Sequence, residues 1–292
     1  MKKKFIVFIL AFVCAFAFSI SACAHKGNDG RGIADMQINS NGELVITYTD
    51  GTTANLGKII PGEEKRYTEG LLYEEIKYGD TVVAYTVAGL GTATDMNIVI
   101  PPEYMGKPVT EIKDYALYCP YGTPEEKCPV SIDVGDVVQR IGEQAFGYNS
   151  YLKTISIGKS VERIGRSALY YCRALETVYW NATACKVAGT RERHLFLESR
   201  YVKEIFIGDN VKYIPDYAFM GSQSIKSITI PDSVVYIGEA FLGCTMLSDI
   251  YYNSTTNYWD LIVKKENWDY LINQYDGGSY TIHCLDEDIV KE

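Results

Sequence analysis

The side chains of this 292-residue chain that could do covalent or acid–base chemistry are few and badly spaced for it. His25, His194 and His283 are too far apart in sequence to form an i,i+3 or i,i+4 metal pair, and no H-E-x-x-H occurs. There is no G-x-S-x-G elbow to expose a serine nucleophile, and no Walker or G-x-G-x-x-G loop to cradle phosphate; Gly89-Leu90-Gly91 reads as a turn. Without a C-x-x-C pair, thiol–disulfide exchange has no sequence basis. Carboxylates are adjacent at Glu125-Glu126 and Asp286-Glu287-Asp288, but such runs ordinarily mark solvated loops and termini. Only an acid pair assembled from separate segments would leave hydrolysis open. The chemistry that remains is recognition: 24 tyrosines stand against 10 phenylalanines. Tyrosine offers an apolar ring with a polar tip, which suits stacking on a sugar or gripping a protein.

Which rings face solvent depends on the elements that carry them, and here the spacing of apolar residues is decisive. From Ile155 the series Ile157, Val161, Ile164, Leu169, Leu175, Val178 advances by 2, 4, 3, 5, 6 and 3 residues. The same six steps run from Ile132 and again from Ile205, and from Ile228 they recur one residue shorter. A step of 2 is a short strand with both side chains on one face. Gly158, Gly208 and Pro231 then break the strand, and Gly165, Pro215 and Gly238 force a second bend. Six inward side chains supply roughly 9–18 kcal/mol at about 1.5–3 each. Fixing one coil's backbone costs more, at roughly 1–2 kcal/mol per residue. One coil therefore cannot fold alone, and stacked coils with parallel strands are required.

Two coils carry insertions. Val178 to Ile205 has four extra residues between Trp180 and Phe196, and Ile98 to Ile132 has five between Ile100 and Val109 and six between Leu117 and Ile132. The residue between the two inward positions of each strand points outward: Val99, Asp133, Ser156, Tyr179, Phe206, Thr229 and Tyr251. Neighbouring strands lie about 4.8 Å apart, so Tyr179 and Phe206 should be adjacent, with Tyr251 two strands on. These three are the candidate ligand-binding residues. Cross-strand packing that shields the sheet, or cover from the C-terminal end, is the competing reading. Trp180 takes an inward position and reads as core.

Cys172 and Cys244 share one position in the repeat, which predicts a buried column of small apolar side chains. Cys119 falls near that position as well. With Cys128 it also brackets the loop P-Y-G-T-P-E-E-K, so a Cys119–Cys128 disulfide and a reduced pair both stand. Cys185 and Cys284 have no evident partner.

The flanks divide the rest. Residues 33–60 alternate around N-S-N-G and Asp50-Gly51, predicting a small β-meander. Residues 61–97 read as a linker and an N-terminal cap hairpin, Leu71–Ile76 with Thr81–Val87, covering the first coil. The repeats occupy 98–250. Residues 251–292 form a short α/β C-terminal cap, with a helix spanning Trp259, Ile262, Val263 and Trp268 and a strand at Tyr280–Cys284. The fold class is thus a mostly β solenoid with a parallel sheet and closed ends.

The first 22 residues pair Lys2, Lys3 and Lys4 with the apolar run Phe5–Phe18, too short for a comfortable membrane span. Ile20-Ser21-Ala22-Cys23 resembles the lipobox of bacterial lipoproteins, which implies cleavage before Cys23, lipid on its sulfur, and a tether at 23–32. Removing residues 1–22 takes the formal net charge from −9 to −12. That acidity argues against nucleic acid as a partner.

The pattern I-x-I-[GP]-x-x-V-x-x-I-[GP]-x-x-A-F resembles the BspA-type leucine-rich repeat proteins of bacterial surfaces. E-G-L-L-Y-E (69–74), P-P-E-Y-M-G-K-P-V-T-E-I (101–112) and Y-T-I-H-C-L-D (280–286) carry the resemblance across residues 67–286. It implies a right-handed solenoid exposed outside the cell, without cofactor, metal or catalytic residues, engaged in attachment. The expectation is a non-catalytic, lipid-anchored surface protein that binds an extracellular protein ligand. A carbohydrate-binding module, or a spacer displaying residues 33–60, are the alternatives. Cys23→Ala should abolish incorporation of labelled fatty acid and release the protein from membranes; retention with labelling intact would show that Cys23 is not the acceptor.

Overall fold

In the computed structural model, the described residues are 33–38, 43–48, 53–58, 66–270, 272 and 278–291. The expected signal, Cys23 and the tether lie outside them. The chain separates into two compact units, Met1–Arg66 and Tyr67–Glu292. In the first, strands Ile33–Ile38, Glu43–Tyr48 and Thr53–Lys58 form an antiparallel three-stranded sheet in sequence order.

The second unit is a β-solenoid. One side is a nine-stranded sheet among the described residues, and the repeat strands Thr154–Ile157, Thr177–Trp180, Glu204–Ile207, Ser227–Ile230 and Asp249–Tyr252 sit in it in parallel order. Register is as the apolar spacing requires: Ile155 opposes Val178 and Ile132, and Ile157 opposes Trp180, which in turn opposes Ile207. All six inward residues from Ile155 to Leu175 are no more than 2% exposed. A second ladder runs through the two-residue strands Arg140–Ile141, Arg163–Ile164 and Val187–Ala188. It breaks after Ala188 and resumes at Tyr213–Ile214, Tyr236–Ile237 and Val263–Lys264. The break falls at the insertion between Trp180 and Phe196, where the extra residues carry the chain away from the next coil. The remaining side is built of turns, and these too are bonded coil to coil, as in Phe146 N–H to Ala168 C=O at 3.0 Å and Leu169 N–H to Leu195 C=O at 3.1 Å.

The long first coil stacks in register. Asn97–Val99 pairs with Ser131–Asp133, and Lys107–Ile112 pairs with Arg140–Ile141. Its five extra residues make a tight antiparallel turn, Glu103–Tyr104 against Lys107–Ile112, and the six make the loop closed by a Cys119–Cys128 disulfide, Cα atoms 5.9 Å apart.

The N-terminal hairpin, Leu72–Tyr78 with Thr81–Gly89, closes the open end of the first coil: its second strand continues the short-strand ladder by pairing in parallel with Lys107–Ile112. Other expectations need correction. The C-terminal helix is only Thr256–Leu261, and Trp268 lies in a turn. Its ring instead packs at 6.2 Å from Phe241 and 5.8 Å from Trp259, closing the core with aromatics. A further strand, Asp288–Lys291, pairs antiparallel with Tyr280–His283 and occupies the sheet edge. Finally, the cysteine column is not merely apolar. Asn149, Cys172, Ser199, Ser222 and Cys244 occupy equivalent places, and four of them donate to the preceding coil: Asn149 Nδ2 to Leu117 O (2.6 Å), Cys172 Sγ to Phe146 O (3.2 Å), Ser199 Oγ to Leu169 O (2.6 Å) and Cys244 Sγ to Phe219 O (3.3 Å). Phe146 O, Leu169 O and Phe219 O also accept from Asn149 Nδ2 (2.7 Å), Cys172 N–H (3.4 Å) and Ser222 N–H (3.1 Å), so at these three the column adds a second donor, drawn from the next coil, to a buried carbonyl.

Among the described residues no helix is long and apolar enough to cross a membrane. Coil spacing is enforced by glycine at both bends. A Cβ at Gly158 would meet Gly135 O at 1.6 Å, and one at Gly165 would meet Glu143 N at 2.5 Å. Gly158→Ala should therefore destabilise by about 1–3 kcal/mol through forced coil separation, read as a lowered thermal midpoint; an unchanged midpoint would show that the stack yields there without cost.

Candidate functional site

The outward row of the large sheet follows from the alternation of its strands. Its ladder runs Val99, Asp133, Ser156, Tyr179, Phe206, Thr229, Tyr251, His283, each opposite the next. Tyr179 and Phe206 are adjacent, 42% and 49% exposed, with rings stacked at 5.1 Å and 15°. Tyr251 is not part of that pair. It is half-buried and stacks on His283 at 4.7 Å and 19°. Ring separations this close to the strand spacing mean that the rings stand upright on the sheet, edges outward. Thr229 carries no ring, so a gap of about 9.6 Å, two strand spacings, separates Phe206 from Tyr251. Beside this row runs a second outward row, Ser131, Thr154, Thr177, Glu204, Ser227, Asp249, Thr281. Thr177 Oγ1 donates to Glu204 at 3.3 Å. Trp180 is fully buried.

His283 sets one end of the face. Its Nε2 lies 2.9 Å from Asp249 Oδ1 and its Nδ1 3.0 Å from Asp288 Oδ1, so the imidazole fastens the edge strand to the repeat sheet. Burial pulls its pKa down, but hydrogen bonds to Asp249 and Asp288 and their negative charge prevail and hold it above the ordinary histidine value. Asp249 is held below the usual carboxylate range, by hydrogen bonds from Ser248 and then His283.

Other reactive types do no visible chemistry. Burial pushes the thiols of Cys172, Cys185 and Cys244 up to about 12, leaving them protonated and inert. His194 packs against Gly221, and burial holds its pKa low. Among the described residues no group of three or more His, Cys, Asp or Glu could hold a metal. On the short-strand side Glu111 pairs with Arg140 at 3.1 Å, and Glu143 takes both Arg166 (2.6 Å) and Arg193 (2.9 Å). Such exposed pairs are worth little, about 0–1 kcal/mol each.

Sequence reasoning missed a second aromatic cluster, on the turn side. Tyr148 stacks on Tyr171 at 5.2 Å and 25°, and also meets Tyr118 and Tyr170 at 5.2 Å; Arg173 caps Tyr171 at 4.0 Å. Tyr148 and Tyr171 have φ of 59° and 60°, the left-handed region. The equivalent positions in the three following coils are Glu198, Gly221 and Gly243, with φ of 62°, 77° and 75°. A side chain there costs about 1–2 kcal/mol, which ring stacking at about 0.5–1.5 kcal/mol offsets. The signal was available: both tyrosines stand two residues after the large inward side chain of the turn (Phe146, Leu169), where Phe219 and Phe241 are followed by glycine.

Comparison with known proteins gives one family. The BspA type leucine rich repeat region matches residues 110–191 and 190–261, six copies spanning more than half of the chain. Similar solved structures include the leucine-rich repeat protein of T. pallidum (TpLRR), 19% identical over 63% of this chain and 81% of that one, TM-score 0.49. A leucine rich cell surface protein from Faecalibacterium prausnitzii A2-165 is 18% identical over 68% and 71%, TM-score 0.33. The pneumococcal vaccine antigen PcpA is 13% identical over 66% and 82%, TM-score 0.27. No curated protein matches.

The clamp is pH-dependent with a definite sign. A raised histidine pKa adds stability that is complete below the unfolded value of about 6.5 and is lost as pH rises through the folded value. The thermal midpoint of the wild type should exceed that of His283→Gln at about pH 5.5 and converge toward it above about pH 8. An advantage that grows with pH would show that His283 is bound neutral.

Proposed function

The chain belongs to the BspA-type leucine-rich repeat family, and from that premise we propose that it is a non-catalytic cell-surface protein, anchored through lipid on Cys23, that binds an extracellular protein through the large sheet. A repeat array presents a broad, rigid, regular surface, and its chemistry is that of its outward side chains. The observation that carries the reading is the stacked pair Tyr179 and Phe206, half-exposed at the middle of that sheet. Upright stacked rings hide their inner faces and offer edges. Edges above a bed of Ser156, Thr177, Ser227 and Thr229 hydroxyls with the Glu204 carboxylate among them fit the mixed surface of a protein better than the flat face of a sugar ring. Tyrosine is among the residue types enriched at the energetic centres of interfaces, which near-neutral surrounding contacts shield from water.

A cell-surface address agrees with the lipobox and with the Cys119–Cys128 disulfide, which an oxidising compartment permits. Tyr251 enters as a flank of the same face, positioned by His283 and not by Phe206.

Immobilised extracellular matrix proteins and surface proteins of neighbouring cells should capture the wild type. The triple change Tyr179→Ala, Phe206→Ala, Tyr251→Ala should weaken that capture about thirtyfold or more, as expected when a residue worth about 2 kcal/mol is lost, while the variant still folds cooperatively with a midpoint lowered only by the loss of two ring stacks. Capture at full strength by the folded triple variant would remove this face as the binding surface.

A further inference from the structure

The loop closed by Cys119 and Cys128 forms one wall of a cleft of ≈ 410 Å³, and Tyr148 and Tyr151 form the other. We propose that this cleft, on the turn side and separate from the sheet, is a binding site for a neutral saccharide.

Its lining chemistry is unlike the rest of this acidic surface. Tyr121, Tyr148, Tyr151, Ser150, Thr123 and Pro120 line it, and no Asp, Glu, Lys, Arg or His does. An ion would find no counter-charge there and would lose hydration without repayment. The polar groups on the lining side chains are hydroxyls, each able both to donate and to accept. A ligand bristling with hydroxyls of its own can satisfy them in either sense, whereas the prolines of a proline-rich peptide offer carbonyl acceptors only. Phenol rings and a proline ring supply the apolar surface on which the C–H faces of a pyranose pack. The volume lies within the range of small-molecule sites.

The cleft is also built in advance. Besides the disulfide, Thr123 N–H donates to Pro120 O at 3.0 Å, Lys127 N–H to Pro124 O at 2.9 Å and Cys119 N–H to Gly147 O at 3.1 Å, which fixes the loop against the coil. On the opposite wall Tyr148 is held by three neighbouring rings and by its N–H to Tyr170 O at 2.7 Å. Its left-handed backbone is the turn conformation that Tyr171, Glu198, Gly221 and Gly243 take in the later coils, so the repeat itself fixes where the Tyr148 ring projects. Tyr121 sits across from it, 92% exposed at the loop tip, with nothing in the fold for its ring to support.

The test titrates purified full-length protein with neutral oligosaccharides of glucose, galactose and N-acetylglucosamine, with uronic-acid and sulfated oligosaccharides, and with a proline-rich peptide. At least one neutral series should bind saturably. Tyr121→Ala, which cannot disturb the core, should weaken it at least tenfold. Tyr148→Asn, which keeps a residue tolerant of the left-handed region, should do the same. The Tyr179→Ala, Phe206→Ala double variant should bind the saccharide normally, so failure of the sheet reading and of this one are separable. Saturable binding of only the charged oligosaccharides or only the peptide would overturn the proposal. So would no binding at all, or neutral-saccharide affinity within twofold of wild type in both tyrosine variants.

Discussion

The close approach of one coil's backbone to the next is the constraint on which this molecule depends. Hydrogen bonds between coils run along the large sheet, along the short strands and through the turns, so most backbone polar groups inside the stack find partners in a neighbouring winding. That spacing leaves no room for a Cβ at Gly158 or Gly165. It also brings the side chain of Asn149, Cys172, Ser199 or Cys244 within reach of a carbonyl in the coil before. Apolar side chains fill the interior, but the pitch is set by backbone.

A fixed pitch makes the surface a lattice, and function can be written on it only where the lattice is interrupted or decorated. Tyr179 and Phe206 decorate it, because consecutive strands place two rings at stacking distance without any loop to organise them. The disulfide loop interrupts it. Extra residues in the first coil leave the stack, are pinned by Cys119–Cys128, and create a concavity beside Tyr148. The insertion after Trp180 has a different result: it splits the short-strand ladder between Val187–Ala188 and Tyr213–Ile214 while the large sheet continues across it. The two sides of the solenoid therefore differ in continuity, and the unbroken one carries the aromatic row.

The ends show how an open stack is closed. At the N-terminus a hairpin extends the short-strand ladder edge-on, leaving Leu72 and Val83 exposed while Val87 is fully buried. At the C-terminus, Trp259, Trp268 and Tyr280 pack in sequence beyond Phe241, and Asp288–Lys291 turns antiparallel to occupy the last edge. An antiparallel edge strand with charged residues offers a poor template for further strand addition. His283 ties this cap to the repeats through Asp249, so the cap's hold and the aromatic face share one residue.

Coil register, the inward role of Trp180 and the adjacency of Tyr179 to Phe206 were all legible in the order of residues, because a period of two within strands and a fixed repeat length force them. The resemblance to the family, too, was carried by the motif residues of the repeats and their flanks. The polar character of the cysteine column was not legible, since a thiol reads as apolar until a carbonyl is seen 3.2 Å away. The shortness of the C-terminal helix was hidden because Trp268 fits a helical spacing yet gains more from meeting Phe241 and Trp259. The pairing of Tyr251 with His283 required a strand from the cap to join the sheet. The tyrosine cleft needed two segments brought together, a loop and a turn from the next coil. Sequence determined what repeats and which way each side chain in a strand must point, because those follow from local geometry. Only the tertiary structure decided what the insertions and ends do, because nothing in their own spacing says which part of the stack they will meet.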